Sequence, residues 1–410
     1  VTDVDFPRPS ANRGPLYWVR DANLWAGRRR LRADDSNNWR YDFEREYRNR
    51  APALASFAGT PGQPSNPAAR VIPMESLLDP PRPPNTGLRF IILGDTGEGD
   101  HSQYGLLPAI RAVQPDFMII NGDVAYPAGE MVDFEEGFFE PYRDLRIPIL
   151  AVPGNHEYYS KDHGATFYEI FCTRLHEGRW SRAGLRSVPQ PGTYWELRET
   201  SRNGGGPPPR PLVVIGVDSG QEGNLDGRLS FIKKIGSLFD KTVGQSTGDR
   251  RQYDWLEERL TAADRDGARV IVLFHIPALV DGSAKTDIGL NRLHQIIAVH
   301  PSVRLVVTAH IHNYQQYSEK TFGEYLAKEV GRSSGRPPHY IVCGNGGAGL
   351  SKSDFKGTYA TNCRCPDAKQ WVDYVRQSKL YLSSRTKVRS GLLGKFARLF
   401  DRALGADPDA

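Results

Sequence analysis

Five short polar clusters in this chain carry residue types that bind metals and move protons. They read Gly94-Asp95-Thr96-Gly97, Gly122-Asp123-Val124-Ala125-Tyr126, Gly154-Asn155-His156-Glu157, Val272-Leu273-Phe274-His275 and Ala309-His310-Ile311-His312. Carboxylates and an amide are oxygen donors, and imidazoles suit iron, zinc or manganese. No thiol belongs to the set, so the donors point to hard-to-borderline cations. Glycines beside the carboxylates permit sharp turns that a Cβ would block. His310 and His312 are one residue apart. On extended backbone their side chains share a face; in a turn they could reach two adjacent metals. Each cluster alone has a plainer reading: a Gly-Asp turn, a hydrogen-bonded histidine at a strand end, an asparagine cap. The ordered set, each member behind an apolar run, sets them apart.

That set resembles the metallophosphoesterase (calcineurin-like) superfamily, and within it the purple acid phosphatase pattern GDxG, GDxxY, GNHE, VxxH and GHxH, over roughly residues 88–350. The wider superfamily has a histidine two residues after the first aspartate. Here Gly97 stands at that position, and Tyr126 is the replacement seen in purple acid phosphatases. Ala309 departs from the pattern, which has glycine. The resemblance implies that Asp95, Tyr126 and His312 hold a first metal, that Asp123 bridges, and that Asn155, His275 and His310 hold a second. Asn155 and His156 would meet the substrate phosphate. The implied cofactors are Fe(III) plus a divalent ion (Fe, Zn or Mn), because a tyrosine with a free pKa of about 10 becomes a phenolate at neutral pH only on a strongly acidic metal. The implied activity is hydrolysis of phosphate monoesters by a metal-bound hydroxide, with Asp123 and His156 as catalytic residues and His156 stabilising the phosphoryl oxygens or protonating the leaving group. A phosphodiesterase on the same fold, and a metal-containing scaffold docked to a membrane or a partner, are the alternatives.

The clusters must be positioned by the apolar runs before them. Leu88–Leu93, Phe117–Ile120, Ile147–Val152, Leu212–Val217, Val270–Phe274, Val303–Val307 and Tyr340–Val342 have strand length. They are continuous rather than alternating, as in strands buried on both faces. Tyr253, Leu256, Leu260 and Ala263 recur at helical spacing. Residues 198–210 and 240–251 read as loops. Strands alternating with helices predict an α/β fold, and the resemblance narrows it to two packed mixed β-sheets flanked by helices, a four-layer sandwich. In open α/β sheets ligands sit beyond the carboxyl ends of strands, where all five clusters fall.

Residues 1–85 read as a partly irregular N-terminal extension, 86–355 as the catalytic domain and 356–410 as a C-terminal extension. Arginines 28–30 and 32, followed by Trp39, Tyr41, Phe43 and Tyr47, allow either RNA contact or an arm packed on the body. No specific nucleic acid is expected, and a net charge of +5 in 410 residues does not demand one. Near the far end Leu392, Leu393, Phe396, Leu399, Phe400 and Ala403 form a stripe opposite Lys395, Arg398 and Arg402. This basic amphipathic helix, 392–404, suits a peripheral membrane or protein contact, or packing on the body. The chain shows no signal-peptide pattern and no apolar run of membrane-spanning length, and its compartment stays open. Four cysteines make no disulfide framework. Gly344–Gly349 fits GxGxxG, but a polar stretch follows where a dinucleotide site needs an apolar helix. Gly331-Arg332-Ser333-Ser334-Gly335 fits GxSxG without the strand-turn-helix of a serine hydrolase. His101, His163 and His176 read as loop histidines, and Asp218 and Ser219 as hydrogen-bonding residues at a strand end.

Overall fold

The computed structural model describes residues 70–78, 87–97, 99, 101–126, 129–159, 164–201, 208–219, 247–284, 291–332, 335–348 and 363–364. By its contacts the chain divides into Val1–Cys363 and Arg364–Ala410, and the fold below belongs to the first unit. The arginine-aromatic stretch of 28–47 and the stripe of 392–404 lie outside the described residues.

Three strands form a small parallel sheet in the order β2-β3-β4: β2 (Phe90–Leu93), β3 (Phe117–Asn121) and β4 (Ile149–Val152). A larger, mixed sheet runs β1-β5-β6-β7-β10-β12-β11. Its members are β1 (Val71–Pro73), β5 (Trp195–Arg198), β6 (Leu212–Gly216), β7 (Arg269–Leu273), β10 (Val303–Thr308), β11 (Tyr314–Tyr317) and β12 (His339–Cys343). Strands β6, β7, β10 and β12 are mutually parallel neighbours, whereas β5 and β11 run antiparallel to theirs. A hairpin of β8 (Leu279–Val280) and β9 (Ser283–Ala284) stands apart.

Successive strand residues point to opposite faces, and here both faces are apolar. In β3, Phe117 and Ile119 face the larger sheet in one buried cluster with Trp195, Leu197, Val214, Leu273 and Val307. Met118 and Ile120 face outward onto Phe134, Phe138, Phe171 and Trp180. In β7, Val270 and Val272 face outward onto α3 (Thr247–Arg265), meeting Tyr253, Leu256 and Leu260. The layers are therefore helix, sheet, sheet, helix, with helices α1 (Leu107–Val113) and α2 (Ala165–Cys172) packed with the small sheet. The α/β class follows the alternation of apolar runs and helices, and the two-sheet sandwich is the one the resemblance implied, with the smaller sheet wholly parallel rather than mixed.

One reading needs correction. Residues 247–251, taken as part of a loop, begin the helix α3. Its first turns, Thr247-Gly248-Asp249-Arg250-Arg251, contain no apolar residue, so hydrophobic periodicity carries no signal there. Among the described residues no helix is long and apolar enough to cross a membrane.

Candidate metal centre

Every residue singled out as a ligand lies just past the carboxyl end of a strand. Asp95 follows β2, Asp123 and Tyr126 follow β3, Asn155 follows β4, His275 follows β7, and His310 and His312 follow β10. Three of them, Asp95 (φ 58°), Asp123 (φ 50°) and His310 (φ 66°), adopt left-handed backbone. For a residue with a Cβ this costs roughly 1–3 kcal/mol, offset by the packing that aims each side chain inward.

All seven side chains meet in one network. The Tyr126 hydroxyl lies 2.9 Å from both Asp95 Oδ1 and Asp123 Oδ2, and 3.1 Å from His312 Nε2. His312 Nε2 is 3.3 Å from Asp95 Oδ1. On the other side, His275 Nε2 is 3.2 Å from Asp123 Oδ2, 3.2 Å from Asn155 Oδ1 and 3.3 Å from His310 Nδ1. The donor atoms of Asp123, His275 and His310 fall within 4.8 Å of one another, close enough to share one cation. Asp123 stands between the two halves, since its Oδ2 touches both the Tyr126 hydroxyl and His275.

The electrostatics suit cations. Asp95 and Asp123 are buried, and no lysine or arginine contacts either among the described residues. Buried carboxylates normally need a counter-charge. Burial alone would raise the Asp123 carboxyl, but His275 and His156 hold it well below the usual range. Burial would likewise depress His275, yet the Asp123 and Asp95 carboxylates lift it to about 9. His310 is pushed down to about 4 by burial and by His275. Burial and both aspartates push the Tyr126 phenol well above 10. The ring atom His275 Nδ1 lies 2.9 Å from the Asn121 carbonyl, so it carries a hydrogen that donates there, and Nε2 is turned to the cluster. That outer hydrogen bond is what orients a ligating histidine.

The supporting groups were not singled out from the sequence. Glu157 is fully buried, and its carboxylate accepts backbone N–H groups of Asp123 (3.1 Å), Val124 (2.9 Å), Ala125 (3.1 Å) and Gly154 (2.7 Å). Burial and Asp123 push its carboxyl up, and the Gly154 and Ala125 amides pull it back toward the ionised form that accepts all four N–H groups. Its signal was the final residue of GNHE. Asn121 donates from Nδ2 to the carbonyls of Phe274 and Val307, both at 3.1 Å, tying β3 to the ends of β7 and β10. The glycine-rich loop after β12 also serves the site. Gly346 N donates to Gly94 O and Ala348 N to Asp95 O, each at 2.9 Å, and a side chain on Gly344 would overlap Ile311 O and crowd Asp95.

His156 and His312 reach the surface, with side chains 26% and 23% exposed, which marks the open side of the cluster. The His156 ring packs on Tyr126 at 4.2 Å, and its backbone N–H donates to Asp123 Oδ1 at 2.9 Å. Asp218 accepts from Tyr158 (2.5 Å), and Ser219 Oγ accepts from Ile276 N (3.0 Å), as strand-end hydrogen-bonding residues. His176 pairs with Glu169 at 3.2 Å. His163 and the side chain of His101 lie outside the described residues.

The two-sheet α/β sandwich gathers carboxylates and imidazoles at its strand ends, a donor set that suits hard-to-borderline cations. The calcineurin-like phosphoesterase model matches residues 88–314, more than half of the chain, and the chain belongs to that family of metal-dependent phosphoester hydrolases, whose members typically bind two metal ions. Among solved structures it is similar to GAP50, the anchor in the inner membrane complex of Plasmodium, at 13% identity and a TM-score of 0.42, over 65% of this chain and 76% of that one. It is also similar to a dimetal phosphatase from Danio rerio, at 13% identity and a TM-score of 0.34, over 62% and 86%. No curated protein matches the chain.

Proposed function

We propose that the chain is a phosphomonoesterase of purple acid phosphatase type. Asp95, Tyr126 and His312 would hold Fe(III), Asn155, His275 and His310 would hold a divalent ion, and Asp123 would serve both. The observation that carries this reading is the Tyr126 hydroxyl, buried within 3.1 Å of Asp95, Asp123 and His312. When bound, the two cations supply Lewis acidity toward the phosphate and a nucleophile at neutral pH.

The chain's own residues do the rest. Tyr126, kept protonated by burial and its two aspartate neighbours, surrenders its proton only to a strong positive charge. The Nδ1–H of His275 is committed to Asn121 O, so Nε2 remains the donor. Asn155 offers its amide oxygen beside His275 and its N–H to a phosphate oxygen. His156, fixed through its backbone to Asp123 and partly exposed, delivers a proton to the departing alkoxide. Such a general acid contributes about 10²–10⁴-fold.

Metal analysis with a visible spectrum tests the reading. Tyrosinate on Fe(III) gives a charge-transfer band, and we expect turnover of a chromogenic monoester well above that of the matching diester. A colourless, iron-free enzyme of full activity would remove the Fe(III)-tyrosinate centre. Faster turnover of the diester would replace the monoester assignment.

A further inference from the structure

A second polar site lies at the opposite end of the larger sheet. The parallel neighbours β6, β7, β10 and β12 each bring an arginine to their amino ends: Arg210 before β6, Arg269 at the start of β7, Arg304 in β10, and Arg336 before β12. Strands sit about 4.8 Å apart, so the row spans about 15 Å. From Arg304 to His310 along and past β10 is six residues, about 20 Å at about 3.3 Å per residue. The row is therefore remote from the metal centre. It lines a cleft of about 720 Å³, which also contains Ser302, His339, Asp264 and Glu319.

The charges in the cleft do not cancel. Asp264 is taken up by His300 Nδ1 (2.6 Å) and the Ser302 N–H (2.8 Å). Glu319 faces His339 (3.5 Å) and Arg336 (3.9 Å). Arg210, Arg269 and Arg304 have no carboxylate partner among the described residues. Two polar atoms add an independent sign: Arg304 Nη1 is buried with no acceptor, and Ser302, only 4% exposed, leaves its Oγ without a partner. Leaving buried donors unmatched is costly unless a ligand supplies the acceptors.

We propose that this cleft binds a compact anion carrying two or more phosphate groups. Guanidinium forks match phosphate oxygens in pairs, and a row of arginines matches consecutive phosphates. The volume is that of a small-molecule site. No Phe, Tyr or Trp lines it, so it offers no large aromatic face to a nucleobase, and the phosphates themselves are what it recognises.

Titration of the full-length, metal-loaded protein with non-hydrolysable imidodiphosphate tests this. The expected result is a binding component weakened at least about tenfold, or about 1.4 kcal/mol, in Arg304→Met and in Arg269→Glu and Arg210→Glu. The last two change exposed residues and leave folding intact. The component persists in His156→Ala, and monoester turnover is unchanged in Arg269→Glu, so the outcome is independent of the catalytic proposal. Sedimentation with vesicles carrying a phosphoinositide bisphosphate, lost in Arg269→Glu, would place the phosphates on a lipid headgroup, and its absence beside imidodiphosphate binding would place them in solution. Imidodiphosphate binding that is absent, or equal in wild type and all three arginine variants, overturns the proposal. So does binding of a polyglutamate peptide in place of imidodiphosphate.

Discussion

At the scale of single residues, the site separates groups that would touch a metal from groups that hold those in place. Tyr126 belongs to the first kind. Its ring is buried and its hydroxyl meets both aspartates, so Tyr126→Phe preserves the packing and deletes one donor atom. We expect it to abolish the charge-transfer band and to lower monoester turnover by at least about 10–100-fold, the range seen when groups around a metal are lost, with the unfolding midpoint nearly unchanged. A retained band would assign the colour elsewhere. Glu157 belongs to the second kind. Its two oxygens accept four backbone N–H groups from the turns that carry Asp123 and Asn155, using the full acceptor capacity of a carboxylate. Glu157→Gln keeps the volume but turns an NH₂ toward those donors. The expected loss is about 1–3 kcal/mol in denaturant unfolding, together with reduced metal content. A variant with the wild-type midpoint and full metal content would show that the turn stands without the carboxylate.

At the scale of elements, the Gly97 loop and the Tyr126 loop depend on each other. Tyr126 N donates to Gly97 O at 2.9 Å, and a Cβ on Gly97 would overlap the Val124 carbonyl. The histidine that the wider superfamily carries at this position therefore has no room here. The Tyr126 hydroxyl, carried by the loop after β3, stands in the cluster beside Asp95 and Asp123, as the proposed centre requires. Gly97→Ala should push the two loops apart, and the band and activity should fall together while the helices and far-UV signal persist; unchanged colour would separate glycine from the tyrosine's placement. The same packing explains what the sequence displayed. Strands β2, β3, β4, β6, β7, β10 and β12 were legible because each is apolar on one or both faces. Strand β5 was not, since its Glu196 is fully buried and matched only by Arg198 and by Arg259 on α3. Strand β11 was hidden for a like reason: Gln315 is buried and satisfied by Asp281 and Asn313. Polar residues compensated by distant partners carry no local pattern. The seven side chains that gather at the strand ends were legible by type and order, whereas Glu157, Asn121 and the Gly344–Ala348 loop act through contacts to backbone that no spacing announces.

At the scale of the molecule, the seven donors come from both sheets, and Asp123 is where the halves join. The small sheet supplies Asp95, Asp123, Tyr126 and Asn155, the larger sheet His275, His310 and His312. On the proposed assignment, metal uptake would clamp one sheet to the other at their carboxyl ends, and it should stabilise the whole domain by mass action. A ligand at 1,000 times its Kd adds about 4 kcal/mol. Asp123 Oδ2 touches the Tyr126 hydroxyl on one side and His275 on the other, whereas His312 meets Asp95 and Tyr126. The two positions should consequently differ when replaced. Asp123→Asn is expected to lose both ions, and with them nearly all of the rise in unfolding temperature on adding metal to chelator-treated protein. His312→Ala should keep the ion of the His275–His310 half, bind about half the metal, and retain part of that rise. Stoichiometry and thermal unfolding read together decide the matter. If Asp123→Asn retained the wild-type metal content and shift, Asp123 would not bridge, and the sheets would be joined by their apolar interface, by Asn121 and by the backbone hydrogen bonds of the Gly344–Ala348 loop.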